Sequence, residues 1–530
     1  MKNKLLKRAA VAVLALAVMI VAGCQAIAGL DLNQVLKNAA KVTSGESKSS
    51  FEFQLRLNED ALEEYEEEEA DFYRLISHIK VELDRVLVED ESNLSLEGSL
   101  SFGDLGIPFG LRMSETTMVL ELEGAKKPIA IDLSDEAIAS MSGVEISEGN
   151  EVSQEEEETI AEIGRQITDL VSGYAINNLP NPSGLSATPV TEPIGGVQTS
   201  MMKLQFTMDG PAIWEWIKSY LDALLNDREG LEATVRGILE LLENNPVYWE
   251  MLGEINPLES DELDAPTVDD MAKEAVDEIV LLLESYQEEI EWMETEDKET
   301  LDSLLNESLQ LKMDTYVDAK LDIRKQALEL NYELEDDMDE ELELPFTGFT
   351  LKTSSEHWNV NGSVAADEPA VTDDMLTSAE LEELEGHEAL EYVDEQSALY
   401  ELLKNKLHVT RQTYFAYSDD YYNPPIIVPG YITIVAVRDV ADAFGASTTY
   451  EAATREITVH DELTNTRIVM KVGSDVVKVN GKEEVWPFPV MTVDGTTYVP
   501  ARKLAEALGA DIEWQTVYED WKELSISREP

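Results

Sequence analysis

From Phe51 onward, apolar side chains fall on every second residue in run after run, and this alternation decides what most of the chain can become. Phe51, Phe53, Leu55 and Leu57 alternate with Glu52, Gln54 and Arg56. The same period returns at Ile79, Val81 and Leu83, at Leu94, Leu96, Leu100 and Phe102, and at Met118, Leu120 and Leu122. A period of two sets one face of a strand against a core and the other in water. A succession of one-sided strands specifies an antiparallel sheet, because parallel strands are covered on both faces. The run Glu63–Glu69 between the first two strands is expected on an exposed loop or helix.

Helical spacing interrupts the strands. Ile160, Ile163, Ile167 and Leu170 predict a helix over 155–174, and the proline-rich stretch 179–196 reads as a loop. Met202, Leu204, Phe206 and Met208 form a further strand. Asp209-Gly210-Pro211 then opens a helix with Ile213, Ile217, Tyr220, Leu221 and Leu224 on one stripe. Thr267 with Asp270 forms a capping-box pattern ahead of a longer helix, whose stripe is read as Met271, Ala275, Ile279, Leu282, Leu283 and Tyr286. Strands return at Leu309–Met313, Leu321–Ile323, Leu328–Leu334 and from Phe349 to Trp358, with an acidic loop from Glu335 to Glu343. Sheet, helices, sheet is an α+β arrangement. It is similar to the half-barrel lipoprotein carriers of the LolA and RseB kind, in strand and helix order alone. That resemblance implies a curved sheet cupping an apolar cavity.

Near the C-terminus the chain repeats itself at an offset of 64 residues. Ile434-Val-Ala-Val-Arg438-Asp-Val-Ala441-Asp-Ala443-Phe-Gly445-Ala446 aligns with Tyr498-Val-Pro-Ala-Arg502-Lys-Leu-Ala505-Glu-Ala507-Leu-Gly509-Ala510, and Tyr450 with Trp514. Each copy reads as a strand, a short amphipathic helix ended by Gly, and a second strand. Asn480-Gly481 and Asp494-Gly495 supply hairpin turns. Arg438 and Arg502 are expected to anchor the two helix starts by hydrogen bonds. Through Tyr498-Val-Pro-Ala-Arg502, Ala507-Leu-Gly-Ala510, Glu513-Trp514 and Val479-Asn-Gly481, residues 426–528 resemble the copper amine oxidase N-terminal domain. The first copy departs from that pattern, with Ala436 in place of Pro and Tyr450 in place of Trp. The resemblance implies a non-catalytic stalk, as on exported proteins of Gram-positive bacteria.

The N-terminus addresses the chain. Lys2, Lys4, Lys7 and Arg8 lead an apolar run from Ala9 to Ala22, then Val21-Ala22-Gly23-Cys24, the pattern of a secretory signal. Its ending resembles a bacterial lipoprotein lipobox, which implies cleavage before Cys24 and a diacylglycerol on its thiol. Two acyl chains anchor stably where one does not. Cys24 is the only cysteine, so the lipidated chain has no disulfide and no thiol nucleophile. With 39 basic and 109 acidic residues the net charge is -70, and removal of residues 1–23 takes away four positive charges more. Such a surface repels a phosphate backbone, so nucleic acid is not expected as a partner.

Chemistry is scarce. Asn331-Tyr332-Glu333 imitates the quinone motif of an amine oxidase, but Tyr332 falls on the apolar face of its strand. His78, His357, His387, His408 and His460 are scattered without ligand spacing. Asp336 to Glu341 lacks the spaced ligands and turn Gly of a calcium loop. No catalytic, cofactor-binding or metal-binding set emerges, and no cofactor is expected.

The sequence therefore divides into a signal peptide (1–23), a tether (24–47), an antiparallel-sheet and helix domain (48–365), an acidic linker with a helix (366–424) and a two-repeat α/β stalk domain (425–530). The fold class is α+β. The first expected function is a non-catalytic binding or scaffold protein of the cell surface, held at the membrane through Cys24 and facing the cell wall or an apolar ligand. A half-barrel carrier or sensor for a lipid or apolar peptide is the alternative, with a hydrolase beyond it. Stacked apolar faces leave either a filled core or a lined cavity.

Overall fold

The computed structural model describes residues 29–65, 67–134, 154–245, 267–334, 344–418, 422–518 and 521–530. The chain forms two compact units that divide between Glu380 and Leu381. The first is built on one open sheet of 12 strands. These are β1 (Gly45–Leu57), β2 (His78–Val88), β3 (Leu94–Phe102), β4 (Leu105–Met113), β5 (Thr117–Leu122), β6 (Ile129–Asp132), β7 (Ser186–Ile194), β8 (Val197–Asp209), β9 (Gln310–Asp318), β10 (Ile323–Glu333), β11 (Phe346–Trp358) and β12 (Leu376–Thr377). Their order is β12-β6-β5-β4-β3-β2-β1-β11-β10-β9-β8-β7. Every pairing is antiparallel except the short β12–β6 contact. First and last long strands meet in the middle, with Phe53 facing Leu351 and Glu46 facing Trp358.

Alternation explains both faces. Across β9, β10, β11, β1 and β2 the outer face carries Lys312, Glu329, Lys352, Glu52 and Lys80 directly opposite one another, a row of alternating sign. Opposite charges facing across strands stabilise a solvated sheet surface. On the inner face the matching rows are apolar: Phe206, Met208, Leu311, Met313 and Leu330 pack against Ile213, Trp216 and Ile217.

The sheet is a half-barrel, and its curl has visible causes. Register breaks lie between Ser47 and Ser49 of β1 and between Leu83 and Arg85 of β2. Gly98 faces Leu83, and a Cβ on it would sit 2.2 Å from the Glu82 carbonyl oxygen. Bulges beside a close backbone approach bend and twist a sheet. At the far end the β7–β8 turn folds back over three strands: the Gly195 N–H donates to Glu356 of β11 at 3.0 Å, and Lys325 of β10 pairs with Glu192 of β7 at 2.8 Å.

The helices of eight residues or more in this unit are α1 (Leu32–Ala39), α2 (Glu67–Ile76), α3 (Gln154–Asn178), α4 (Gly210–Asn226), α5 (Arg228–Glu243) and α6 (Val268–Thr295). Asp209 caps α4 by accepting from the Ala212 N–H at 2.9 Å, and Thr267 with Asp270 closes the expected capping box on α6. The expected stripe of α6 needs correction. Ala272, Val276 and Ile290 are its buried positions, while Leu282 and Tyr286 are exposed. Residues 179–196 are not all loop either. β7 runs through Pro189 and Pro193, which an edge strand tolerates because one side of its backbone has no ladder to lose. Leu321, read as a strand residue, has φ of 67° in the turn before β10.

The second unit carries three small sheets, in the orders β13-β24-β23, β14-β15-β22-β21 and β16-β17-β18-β19-β20. The strands are β13 (Gln412–Tyr417), β14 (Ile426–Val428), β15 (Ile432–Ala436), β16 (Ser447–Glu451), β17 (Glu456–Asp461), β18 (Thr466–Lys471), β19 (Val476–Val479), β20 (Lys482–Val485), β21 (Met491–Val493), β22 (Thr496–Pro500), β23 (Asp511–Tyr518) and β24 (Trp521–Arg528). The repeated helices are α7 (Val437–Ala443) and α8 (Ala501–Leu508). Gly445 and Gly509 follow them with φ of 63° and 70°. Both turn dipeptides take the expected left-handed pair, Asn480 and Gly481 at 52° and 80°, Asp494 and Gly495 at 50° and 90°. β13 lies inside the stretch read as linker, yet Tyr414 and Ala416 are buried in the same core as Val435, Leu504 and Leu524.

Candidate ligand site

The inner face of the half-barrel is graded along its strands. Ser49, Ser355, Gln326 and Thr315 lie opposite one another across β1, β11, β10 and β9, with Ser47 facing His357 one step higher. Two residues lower the facing set is Phe51, Thr353, Leu328 and Met313, and below that Phe53, Leu351, Leu330 and Leu311. One end of the trough is thus polar and the rest apolar. The apolar rows continue sideways: Phe51 faces Val81, Val81 faces Leu100 and Leu100 faces Ile107, while Leu96, Leu111 and Leu120 form the next row. Leu96, Leu100, Leu111 and Leu120 are only half-buried, and Phe51 is 38% exposed.

A cavity of about 350 Å³ opens at the polar end, walled by Ser47, Ile323, Gln326, His357 and Trp358 and closed on one side by Asn38 and Ala39 of α1. That volume is at the lower end of small-ligand sites. The helix itself fills the neighbouring part of the trough. Leu32, Val35 and Leu36 are buried, with Leu32 and Val35 against Leu204 and Val317, and only about 30 Å³ is left between α1 and the strands. Burial, helped by the Arg324 charge, pushes the His357 imidazole below its ordinary pKa, so it is neutral near pH 7. Its Nε2 lies 3.0 Å from the Ser355 hydroxyl. Arg324 is committed elsewhere, donating to Asp318 at 3.0 Å and to the His357 carbonyl at 2.9 Å. Burial, then the neighbouring Asp318, pushes the Asp322 carboxyl up.

The residues weighed from sequence scatter. Cys24 and Asp336 to Glu341 lie outside the described residues. Tyr332 is a core residue, packed against Phe349 at 5.7 Å between ring centroids, its hydroxyl donating to the Ser303 carbonyl at 2.8 Å. His78 meets Glu52, and His408 meets Glu529. Among the described residues no group of three His, Cys, Asp or Glu is placed to hold a metal ion, and no helix is long and apolar enough to cross a membrane. Arg438 and Arg502, expected to anchor the repeats, are exposed, and neither bonds another described residue. The polar row at Ser47, Ser49, Gln326 and His357 escaped the sequence reading. Its one trace there is the loss of apolar character at alternate positions above Phe51 and Leu328.

Among known families, residues 417–519 match the copper amine oxidase N-terminal domain, which is not the catalytic domain of those oxidases. No curated protein and no solved structure matches the chain. The fold and site define a half-barrel unit with a graded trough, followed in the chain by a segment, 417–519, that is similar to the copper amine oxidase N-terminal domain.

Proposed function

We propose that the protein is a non-catalytic binding protein of the bacterial cell surface, anchored through lipid on Cys24. Its half-barrel holds an apolar ligand, a lipid or an apolar peptide, and its C-terminal unit serves as a stalk. One observation carries the reading. The apolar rows that α4 seals over β8, β9 and β10 continue onto β1–β5, where Leu96, Leu100, Leu111 and Leu120 are half-buried and Phe51 is exposed. A contiguous apolar surface of this kind marks an interaction site when a polar rim borders it. The polar row supplies that rim.

Mass spectrometry of the chain purified from its membrane without detergent exchange is the test. A lipid or peptide that co-purifies in fixed ratio and is released on unfolding is the expected result. A chain that carries none, and takes up none from added lipid, contradicts the proposal.

A further inference from the structure

The cavity at the polar end of the trough is built for one class of head. Its walls offer a hydroxyl and an amide, Ser47 and Gln326, and Ser355 and Ser49 lie in register with Gln326 on the neighbouring strands. The side chains of Ser47, Ser49 and Gln326 make no hydrogen bond to another described residue, so their donors and acceptors are open to a ligand. His357 adds a ring nitrogen.

The charge that lines it is negative. Asp322 is in the wall, the Glu46 side chain lies on the outer face where it accepts from Asn359, and no Lys or Arg lines the cavity. Arg324, next in sequence to Ile323 of the wall, is held by Asp318 and by a backbone carbonyl. A phosphate head would meet one carboxylate and no cation, where phosphate recognition asks for Arg, Lys or a cluster of N–H donors. An uncharged head rich in hydroxyls meets the acceptors and donors of Ser47, Gln326 and His357 instead. Along β1 the floor then changes from Ser47 and Ser49 to Phe51 and Phe53 within two turns of the pleat, so a head seated here directs its tail onto the apolar rows.

We infer that the ligand is an amphipathic glycolipid, its uncharged sugar head held by Ser47, Ser49, Gln326 and His357 in this cavity and its acyl chains laid along the Phe51–Val81–Leu100 row. The inference rests on the apolar-ligand reading above and adds the chemistry of the head.

Displacement of an apolar fluorescent dye from the delipidated full chain tests it, with three competitors: a glucosyl diacylglycerol, phosphatidylglycerol with the same acyl chains, and methyl glucoside. The glucosyl lipid is expected to displace at about tenfold lower concentration than phosphatidylglycerol, the effect of one or two net hydrogen bonds. Gln326→Leu is expected to erase that preference. Ser47→Ala with Ser49→Ala does the same should Gln326→Leu not fold. Equal displacement by the two lipids, or better displacement by phosphatidylglycerol, overturns the head assignment and leaves the apolar-ligand reading standing. Methyl glucoside competing as well as the glucosyl lipid overturns it too, since a free sugar would then be the ligand. A folded chain that binds neither dye nor lipid removes both.

Discussion

Val435 and Val499, 64 residues apart in the chain, face each other directly in the antiparallel pairing of β15 with β22. Ile434 faces Pro500 and Ala436 faces Tyr498, so each repeat pairs with the other about a local two-fold. Both valines are fully buried. The internal repeat therefore acts as its own partner: one copy's apolar strand has no core without the other's.

The repeat does not close the unit by itself. β24 pairs with β13 as well as with β23, and β13 lies upstream of the repeat. A fragment of residues 381–530 is expected to melt in one cooperative transition, as a domain of this size with a core does. A fragment of residues 426–530 lacks β13 and is expected to melt well below it or to lose cooperativity. Calorimetry of both checks this; equal melting temperatures would contradict the role given to β13.

Arg528 joins the two repeats at their helix ends. Its guanidinium donates to the carbonyls of Phe444 and Leu508, equivalent positions in the two copies, to Gln412 of β13 and to Asp461. It also stacks 4.6 Å from the Phe444 ring centroid. Every one of its five N–H donors has an acceptor. Breaking such a buried pair from one side leaves an uncompensated charge, so Arg528→Met is expected to cost about 3–5 kcal/mol by chemical denaturation. Pairing Arg528→Met with Asp461→Leu should recover part of that loss; strictly additive effects would contradict the coupling.

Acid reports the same contact. Burial works to raise the Asp461 carboxyl, but hydrogen bonds from Arg528 and Thr464 and the Arg528 charge outweigh it and hold it below its ordinary value. A carboxyl lowered in the folded state stabilises above its unfolded pKa of about 3.9, and that contribution is lost as pH falls through the folded value. The C-terminal unit should therefore lose stability below about pH 4. Asp461→Asn should start less stable and change less over that range. Parallel pH profiles for the two would contradict the assignment.

Lipid on Cys24 is expected from the basic lead, the apolar run and Val21-Ala22-Gly23 before the cysteine. Growth with a radioactive fatty acid should label the protein, and Cys24→Ala should abolish the label. A Cys24→Ala chain that still labels would contradict the anchor.

Strands with clean alternation were legible from sequence, and so were elements opened by a specific signal, such as α4 behind Asp209 and α6 behind Thr267. β4 was missed because Gly106, Pro108 and Gly110 occupy alternate positions of Leu105–Met113 and hide its period. β7 was missed because prolines signal a loop until the strand is known to lie at an edge. The α6 stripe was misjudged because Leu282 and Tyr286 are apolar by type and exposed by position. The candidate site was almost illegible. Its polar row is assembled from Ser47, Gln326 and His357 on three strands far apart in the chain, and β11 reaches β1 only through the closure of the whole sheet.

The apolar trough is the center of this account, and dye binding to the delipidated full chain at neutral pH tests it most directly. Saturable binding is expected, lost on unfolding and weakened by Leu100→Glu, which sets a charge in the middle of the Val81–Ile107 row. Absence of saturable binding to the folded chain, or binding indifferent to Leu100→Glu, would contradict it.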